Sequence, residues 1–211
     1  MNDGTGHSPL QSRMEPTEIA ASYDAIASRW LGTHLETNGI GPHERALRFR
    51  EGGGVALDVG CGCNDRFRRL LEGHGYEVEG LDVSGEMIAL ARERHPEATF
   101  HHADVCGWTP SRRYDFITAW DSIWHVPLDR AEAILSKLCG ALAPGGVFLW
   151  TTGGVDGPEE KRDSAMGPEV YYGVPGIPRT LEVIAEAGCV CRHLEFDQLP
   201  ERHVFLIAQK V

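Results

Sequence analysis

The sequence predicts a three-layer α/β sandwich: a seven-stranded, mostly parallel sheet covered by helices and finished by an antiparallel C-terminal hairpin. Short apolar runs alternate with helical patterns between residues 55 and 152, which is typical of a parallel sheet. A glycine-rich turn directly follows the first apolar run. The last two strand patterns, 189–196 and 203–209, are separated by 6 residues, too few for a parallel crossover, so they must pair antiparallel.

The segment before the sheet is predicted to be helical. Residues 1–15 are rich in Gly, Ser, Asn and Pro and are expected to be a flexible tail on a single domain, 16–211. Beyond them a helical period places four large residues on one face: Ile19, Tyr23, Ile26 and Trp30. A second short helix is predicted at 42–50. Residues 16–50 should therefore form an N-terminal helical cap, either packed on the core or closing over a ligand.

Strands and helices then alternate along the chain. Strands are predicted at residues 55–59, 76–83, 98–105, 114–120 and 147–152. Ser84 is the predicted N-cap of a helix that stops at Pro96, and Pro127 is predicted to open a longer helix. Residues 143–146, Ala-Pro-Gly-Gly, are predicted to form a turn.

One long segment breaks this alternation. Residues 153–179 are rich in glycine, proline and charge, and they are predicted to be loop or short irregular helix. Loops of that length inside a compact domain are usually functional or disordered. Because the segment follows the fifth strand, it is expected to overhang the binding edge as a lid or substrate insertion. A helix at 180–187, ended by Gly188, comes next.

The composition disfavours several classes of partner. The net charge is −11 and no basic cluster is dense, so nucleic acid is not expected as a partner. No apolar run approaches the roughly 18 residues of a membrane span, and residues 1–13 lack the core of a signal peptide. The six cysteines match neither zinc pairs nor a disulfide scaffold. We expect a cytoplasmic monomer or homodimer that acts on a small molecule.

The turn after the first strand has the properties of a nucleotide-type pocket. Gly60 and Gly62 allow positive φ and let a ligand approach bare backbone, while the next helix presents unpaired N–H groups. A dinucleotide fingerprint would place a third glycine at Asp65. Asp58 and Asp65 instead flank the turn with carboxylates, which favours a cationic ligand over a pyrophosphate.

The pattern Asp58-x-Gly60-x-Gly62-x-Asn64 resembles the first motif of the class I S-adenosylmethionine-dependent methyltransferases, in particular the small-molecule, type 11/12-like domains. The resemblance covers roughly residues 23–211 and implies a Rossmann-like fold. It also implies S-adenosylmethionine as cofactor and S-adenosylhomocysteine as product. The helix from Tyr23 to Trp30 looks like the one that closes over the cofactor in such enzymes. Cys63 departs from the family, which often has glycine or alanine there.

The resemblance also implies a set of cofactor contacts. The acid at Asp82 would hold the ribose hydroxyls, Asp104 would reach the adenine amine, and Met87 would cover the adenine face. An aspartate at a strand end is by itself more often a turn former or a helix cap, but three in register with a glycine turn favour a binding site. The full predicted cofactor set is Tyr23, Trp30, Asp58, Gly60, Gly62, Asp82, Val83, Met87, Asp104, Val105 and Trp120.

The acceptor side is predicted after the fourth strand, where the family's acceptor site lies. His125 is the first candidate base because its pKa can lie near neutrality, although a histidine near a helix start can simply form hydrogen bonds. Asp121 and Tyr171 complete the predicted catalytic group. Trp124, Tyr172 and His203 are predicted to meet the substrate, with aromatic core packing or loop exposure as the alternative.

A metal site is tempting but not expected. At period 2 the penultimate strand places five polar residues on one face: Cys189, Cys191, His193, Glu195 and Asp197. Alternate positions on one strand lie ~6.5 Å apart, so a single ion could not draw several ligands from it. We therefore predict a polar edge-strand face and no metal.

The predicted function is methyl transfer from S-adenosylmethionine to an oxygen, nitrogen or sulfur of a small molecule. The alternatives are cofactor binding for a reaction other than methyl transfer, or a sensor of cofactor level. RNA methylation is opposed by the negative charge. Methylation of adenine or glutamine amino groups is disfavoured because no Asn-Pro-Pro-Tyr-type signature follows the fourth strand.

Overall fold

The computed structural model describes residues 13–32 and 36–211. It contains one large sheet and one small one. The strands, numbered in chain order, are β1 (Gly54–Val59), β2 (Tyr76–Asp82), β3 (Thr99–His102), β4 (Tyr114–Ala119), β5 (Leu142–Gly153), β6 (Glu159–Asp163), β7 (Val170–Val174), β8 (Cys189–Phe196) and β9 (His203–Lys210). Residues 1–12 of the predicted tail lie outside the described residues.

The large sheet has seven strands in the order β3-β2-β1-β4-β5-β9-β8. The first five strands in this order are parallel to one another. β9 pairs antiparallel with both β5 and β8. The predicted fold class, including the antiparallel C-terminal hairpin, is confirmed.

Helices cover the sheet and precede it. The α-helices of the described chain are α1 (Pro16–Asp24), α2 (Ile40–Leu47), α3 (Arg66–Gly73), α4 (Gly85–Arg94), α5 (Leu128–Ala141) and α6 (Ile177–Glu186). The Ser84 hydroxyl accepts a hydrogen bond from the Met87 amide and so caps α4, as predicted. Pro127 is the N-cap residue of α5. None of these helices is long and apolar enough to cross a membrane.

The core has two layers because neighbouring strand residues point to opposite faces of the sheet. Leu57, Ile117 and Phe148 pack on the side of α5 and α6. Their chain neighbours Ala56 and Phe116 pack on the other side, with Phe67 of α3 and Trp120. These strand residues are fully buried, as the continuous apolar runs predict for a sheet covered on both faces.

Three predicted elements differ from the structure. The turn predicted at residues 143–146 lies within β5, where the pairing with β4 shifts register. Residues 153–179 contain an antiparallel hairpin, β6–β7, where loop or irregular helix was predicted. Its strands carry few apolar residues outside β7, which hid the strand period. The helix predicted from residue 16 to 30 ends at Asp24 and is followed by a 3-10 turn, Ala27–Leu31.

The polar stripe on β8 is also a wrong prediction. The pairing with β9 shifts register between Cys191 and His193, which marks a bulge. Cys191 packs toward the α5–α6 side of the sheet, whereas His193 and Glu195 lie on the other face, where both contact Arg45. A one-residue shift moves every later side chain to the opposite face, so the five residues do not share a surface.

The topology creates a crevice between β1 and β4. β1 has β2 on one side and β4 on the other, so the chain reverses its winding direction there. Loops that leave the carboxyl ends of these two strands diverge to opposite faces of the sheet. The glycine turn after β1 and the segment after β4 therefore border the same space.

Candidate functional site

A cavity opens at the carboxyl ends of β1, β2 and β4, covered by α1 and the 3-10 turn that follows it. It brings together ten of the eleven predicted cofactor residues: Tyr23, Trp30, Gly60, Gly62, Asp82, Val83, Met87, Asp104, Val105 and Trp120. Asp121 and His125 of the predicted catalytic group also line it. The predicted convergence of strand ends therefore produces one enclosed site.

Asp58 is the exception among the predicted cofactor residues. It does not line this cavity but faces a smaller void beside Cys61 and Arg68, and it is 5% exposed. Burial raises the pKa of Asp58 to about 7, against the opposite effect of Arg66 and Arg68. In the structure its side chain lines this smaller void and not the cavity, and its predicted role in cofactor binding stays a prediction.

The glycine turn is shaped by close approach to the segment after β4. Gly60 has φ +73°, and a Cβ atom placed on it would lie 2.2 Å from Cβ of Ser122. Gly62 has φ +56° and its amide donates a 2.8 Å hydrogen bond to Oδ2 of Asp82. Both positions need the conformational freedom of glycine. The turn is thereby joined to β4 on one side and to β2 on the other.

Asp82 is held in place at the end of β2 by backbone groups. Its Oδ1 accepts a 2.8 Å hydrogen bond from the amide of Ser84, and Oδ2 accepts the one from Gly62. Burial raises the pKa of Asp82, although these amides act to lower it. Each carboxylate oxygen has a second lone pair, so the fixed side chain can still accept hydrogen bonds from a ligand in the cavity.

Asp104 and Met87 form the next part of the wall. Oδ1 of Asp104 accepts a 2.8 Å bond from the amide of Cys106, so this residue is a turn former as well as a cavity residue. Met87 is 3% exposed and packs with Tyr23 and Trp30 in a small apolar cluster. Asp104 therefore forms a turn and lines the cavity, and Met87 packs in an apolar cluster and also lines the cavity.

His125 is enclosed by hydrogen-bond partners. Its Nδ1 donates to the backbone oxygen of Tyr171 at 2.6 Å, since a carbonyl can only accept. Nε2 then accepts the hydroxyl of Tyr23 at 2.8 Å and lies 3.1 Å from Nε1 of Trp124. Burial lowers the pKa of His125 to about 4. The imidazole is thus neutral and ties α1 to the β6–β7 hairpin.

Three other residues predicted for the acceptor side, Tyr171, Tyr172 and Trp124, contact His125 but do not line the cavity. The Tyr171 side chain is fully buried, and its hydroxyl donates to Glu160 at 2.6 Å and accepts from the Leu128 amide at 3.0 Å. It does not line the cavity, and its predicted catalytic role stays a prediction. Tyr172 packs against His125 and Trp124 with ring centroids 4.8 and 5.6 Å apart. Neither Trp124 nor Tyr172 lines the cavity.

Asp121 and His203 form a linked pair. Asp121 follows β4, and its Oδ1 accepts a 2.9 Å hydrogen bond from Nε2 of His203 at the start of β9. Nδ1 of the same imidazole donates to Oδ1 of Asp197 at 2.5 Å. Burial acts to lower the pKa of His203, but its bonds to the two carboxylates raise it above the ordinary value. His203 therefore meets the cavity only through Asp121.

The cavity is also lined by residues outside the predicted site set, among them Arg66, Asn64 and Ser122. Arg66 begins α3 directly after the glycine turn, its Nε donates to the Asn38 oxygen, and its guanidinium stacks on Phe67 at 4.0 Å. A basic residue in the first turn of a helix is electrostatically unfavourable, and that departure was the available signal.

Two further observations bear on ligands. Nε1 of Trp30 is buried without a hydrogen-bond partner in the described parts of the chain. A buried donor on a cavity residue is suited to an acceptor atom of a ligand. Among residues 13–32 and 36–211, no group of three or more His, Cys, Asp or Glu is arranged to hold a metal ion.

Comparison with known proteins gives consistent matches. Residues 56–146 match a family model described as a methyltransferase domain. A dTDP-3-amino-3,6-dideoxy-alpha-D-glucopyranose N,N-dimethyltransferase of Streptomyces fradiae is 37% identical over 135 residues, 63% of this chain and 52% of that protein. A trans-aconitate 2-methyltransferase of Methylobacterium radiotolerans is 40% identical over 95 residues, 44% of this chain and 36% of that protein. The chain thus matches about half, or less, of the length of these curated relatives.

Solved structures match over a larger share of the chain. A DhpI–SAH complex superposes with a TM-score of 0.69 at 26% identity, covering 92% of this chain and 96% of that one. SAM-bound CalS10, an amino pentose methyltransferase from Micromonospora echinaspora, superposes with a TM-score of 0.67 at 18% identity over the full length of both chains. The second likeness is one of fold alone.

Proposed function

We propose that this chain, whose residues 56–146 match a methyltransferase domain, is a class I enzyme that transfers the methyl group of S-adenosylmethionine to an oxygen, nitrogen or sulfur atom of a small molecule. The observation that carries the proposal is the fixed carboxylate of Asp82, held by the amides of Gly62 and Ser84 beside a bare glycine turn. This arrangement suits a ribose diol next to a ligand that is not anionic.

Different cavity residues suit different parts of the cofactor. In the proposal Asp82 accepts the ribose hydroxyls, Asp104 accepts the adenine amine, and Met87 covers the adenine ring. Arg66 supplies a positive charge for the carboxylate of the methionine part. The unpartnered Nε1 of Trp30 is a further buried donor on this wall. Acids outnumber bases along the cavity, which favours a cation and disfavours a pyrophosphate.

The cofactor, when bound, supplies an electrophilic methyl group on a sulfonium. The protein residues then need to bind, orient and keep the site dry, because alignment of the reacting atoms supplies most of the rate. His125, neutral and with both nitrogens engaged, serves in the proposal to hold the Tyr23 hydroxyl at the cavity. Direct action of His125 as a base stays a prediction.

The acceptor class, location and assembly state are part of the same proposal. The named relatives act on an amino sugar nucleotide and on trans-aconitate, and both are small molecules. The net charge of −11 supports a partner other than nucleic acid. The six cysteines are all free, which supports a reducing, cytoplasmic setting. We propose a monomer or homodimer.

Calorimetry with S-adenosylhomocysteine tests the cofactor assignment. The wild type is expected to bind, and Asp82→Asn is expected to bind about 10- to 100-fold more weakly, the ~1–3 kcal/mol scale for a lost buried polar interaction. Asp156→Asn is the matched control, because Asp156 is exposed in the segment after β5, and it should bind like the wild type. Thermal unfolding checks that each variant is folded.

Two results would contradict the proposal. One is wild-type affinity in Asp82→Asn. The other is binding of a dinucleotide in place of the adenosyl compound. Incubation with methyl-labelled S-adenosylmethionine and candidate acceptors then separates methyl transfer from the alternatives, since in a sensor or a non-methyl reaction the label stays on the cofactor.

A further inference from the structure

The backbone of Asp121 is unusual. It has φ +51°, the one positive φ of a non-glycine residue in the described segments. Its amide donates a 2.8 Å hydrogen bond to Oγ1 of Thr151, which is fully buried in β5. Such a conformation costs roughly 1–3 kcal/mol and persists only where surrounding contacts impose it, most often at functional sites. The structure thus holds this carboxylate at the cavity wall against its local preference.

A chain of hydrogen bonds leads away from that carboxylate. His203 donates from Nε2 to Asp121 and from Nδ1 to Asp197, over 2.9 and 2.5 Å. Because an ionised carboxylate can only accept, these two bonds favour the doubly protonated imidazolium, and Nδ1 also lies 3.2 Å from Nε2 of Gln198. Two carboxylates and one imidazolium leave the trio with a net charge of −1. We call Asp121, His203 and Asp197 the acidic trio.

The negative charge of the trio is accessible at one end only. The Asp121 side chain is 30% exposed and lines the cavity, whereas those of His203 and Asp197 are 8% and 16% exposed. Oδ2 of Asp121 accepts no hydrogen bond from side chains in the described ranges, since the recorded contact is to Oδ1. A donor or a cation in the cavity can therefore approach this oxygen.

Aromatic rings flank the same end of the cavity. The rings of Trp120 and Trp124 each lie 5.5 Å from the His203 ring, measured between centroids. Trp120 and Tyr23 also line the cavity beside Asp121. Aromatic faces together with a carboxylate form an environment that attracts a cationic group.

The other charge at this wall does not cancel that of the trio. Arg66 lines the cavity too, but its guanidinium stacks on Phe67, and Asp58 and Glu36 act on it along with Asp121. The net field around Asp121 is therefore negative, which disfavours an anionic acceptor.

We propose that the methyl acceptor is an amine whose N–H group donates to Oδ2 of Asp121, with His203 and Asp197 acting as positioning residues. The inference rests on the proposed function and names the substrate class of that site. The negative wall attracts the ammonium form, which releases one proton to water before transfer, so that the free amine stays hydrogen-bonded to Oδ2 of Asp121. Its lone pair forms the new N–C bond while the C–S bond breaks and its electron pair stays on sulfur.

The carboxylate contributes most as this bond forms. Positive charge leaves the sulfonium and develops on the acceptor nitrogen, so a fixed negative charge beside that nitrogen stabilises the transition state more than the ground state. The product is the methylated ammonium together with the neutral thioether. An alcohol would need to lose its proton in the same step, and a carboxylate acceptor would be repelled by Asp121.

Paired probes test the acceptor class. Benzylamine, cyclohexylamine and glucosamine are each compared with benzyl alcohol, cyclohexanol and glucose, and benzoate represents anions. Binding is measured on protein saturated with S-adenosylhomocysteine, and transfer is measured from methyl-labelled S-adenosylmethionine. We expect the amine of a pair to bind at least tenfold more tightly than its alcohol, and label to appear on the amine.

Asp121→Asn is the informative variant, because asparagine tolerates positive φ as well as aspartate and has the same shape. It should lose at least tenfold in amine affinity and in transfer, while affinity for S-adenosylhomocysteine stays within about twofold. The exposed Asp156→Asn is the control and should change neither. His203→Gln should raise KM for the amine and leave cofactor affinity unchanged, and a purely structural residue would move both.

The outcomes are distinguishable. Preference for alcohols or benzoate, wild-type amine transfer by Asp121→Asn, or absence of binding by every amine would overturn the amine assignment. Absence of S-adenosylhomocysteine binding in the wild type would overturn the proposed function itself. Amine binding that depends on Asp121 and occurs beside the bound cofactor product supports both.

Discussion

The cavity has two ends that are built in different ways: a cofactor end around Asp82 and the glycine turn, and an acceptor end around Asp121 and His125. The cofactor end draws most of its residues from one stretch, 60–105, to which Trp30 and Trp120 are added. Its key side chain is fixed by nearby backbone: Asp82 bonds Gly62, 20 positions away, and Ser84, two positions away. The acceptor end joins side chains that are far apart in sequence. Tyr23 meets His125 across 102 positions, and Asp121 meets His203 across 82.

This difference explains what each end can tolerate. A site held by local backbone geometry depends on the turn and strand that carry it, so changes to its side chains alter binding more than folding. A site held by long-range side-chain contacts depends on the packing of α1, β4, β9 and the β6–β7 hairpin together. Variants at the acceptor end should therefore change stability and acceptor recognition, and leave cofactor affinity largely intact.

The largest expected effect comes from Gly60, the contact point of the two ends. Gly60→Ala forces a Cβ atom into Cβ of Ser122 at 2.2 Å and places alanine at φ +73°. Left-handed backbone costs roughly 1–2 kcal/mol for such a residue, and overpacking adds roughly 1–3 kcal/mol. We expect a loss of about 3 kcal/mol in unfolding free energy and weaker binding of both cofactor product and acceptor, measured by urea unfolding and calorimetry.

Gly140→Ala supplies the matched control. Gly140 lies in α5, and a Cβ atom there meets nothing within 4 Å, so helix propensity alone should leave the stability unchanged or raise it by up to about 1 kcal/mol. If Gly60→Ala kept wild-type stability, the close approach that joins the two ends would be wrong. If it lost cofactor binding alone, the ends would be independent after all.

The second effect is a pH dependence that should arise mainly at the acceptor end. The folded-state pKa of His125 is about 4, below the ordinary value of 6.5. Below pH 6.5 the unfolded chain takes up a proton that the folded chain refuses, so stability falls as the pH drops from 6.5 toward 4. His125 alone contributes a slope of about 1.4 kcal/mol per pH unit. Urea unfolding at pH 5, 6 and 7 measures it.

The two histidines of this end should show opposite signs. The pKa of His203 is raised, so its contribution is present below pH 6.5 and is lost as the pH rises through the folded-state value. His125→Gln should flatten the slope between pH 5 and 6.5, while His203→Gln should flatten it above 6.5. His43, whose pKa burial lowers to about 3, adds an acid slope of the same sign as His125, and Asp58, whose pKa burial raises to about 7, opposes it. Both contributions are present in all variants. The assigned protonation states would be contradicted if His125→Gln changed the slope above pH 6.5 and His203→Gln changed it below pH 6.5.

The same contrast decides how much the sequence could predict. The parallel sheet, its antiparallel finish and most of the cofactor set follow from local patterns: apolar runs, a glycine turn and acids at strand ends. That Asp58 lies outside the cavity could not be predicted, because spacing along a strand does not tell which side of a turn its side chain faces. The burial of His125 and the trio around Asp121 depend on residues 82 or more positions away, which no local pattern contains.

The predictions for the β6–β7 hairpin and for the polar face of β8 were wrong for a related reason. The hairpin strands β6 and β7 pair only with each other, so they carry little of the apolar alternation by which strands of a two-faced sheet are recognised. The stripe assumed an uninterrupted period of two. One bulged residue between Cys191 and His193 reversed the faces, and a bulge leaves no reliable mark in composition.

The smallest expected effect tests the boundary between the ends. Tyr23→Phe keeps the ring beside Met87 and Trp30 but removes the hydroxyl bonded to Nε2 of His125. One lost hydrogen bond at a buried site is worth about 1 kcal/mol of stability. If Tyr23 belongs to the acceptor end through this bond, cofactor-product affinity should stay within about twofold while transfer slows. A loss of cofactor affinity as large as that of Asp82→Asn would instead place Tyr23 at the cofactor end, because only a hydroxyl that bonds the cofactor itself could produce it.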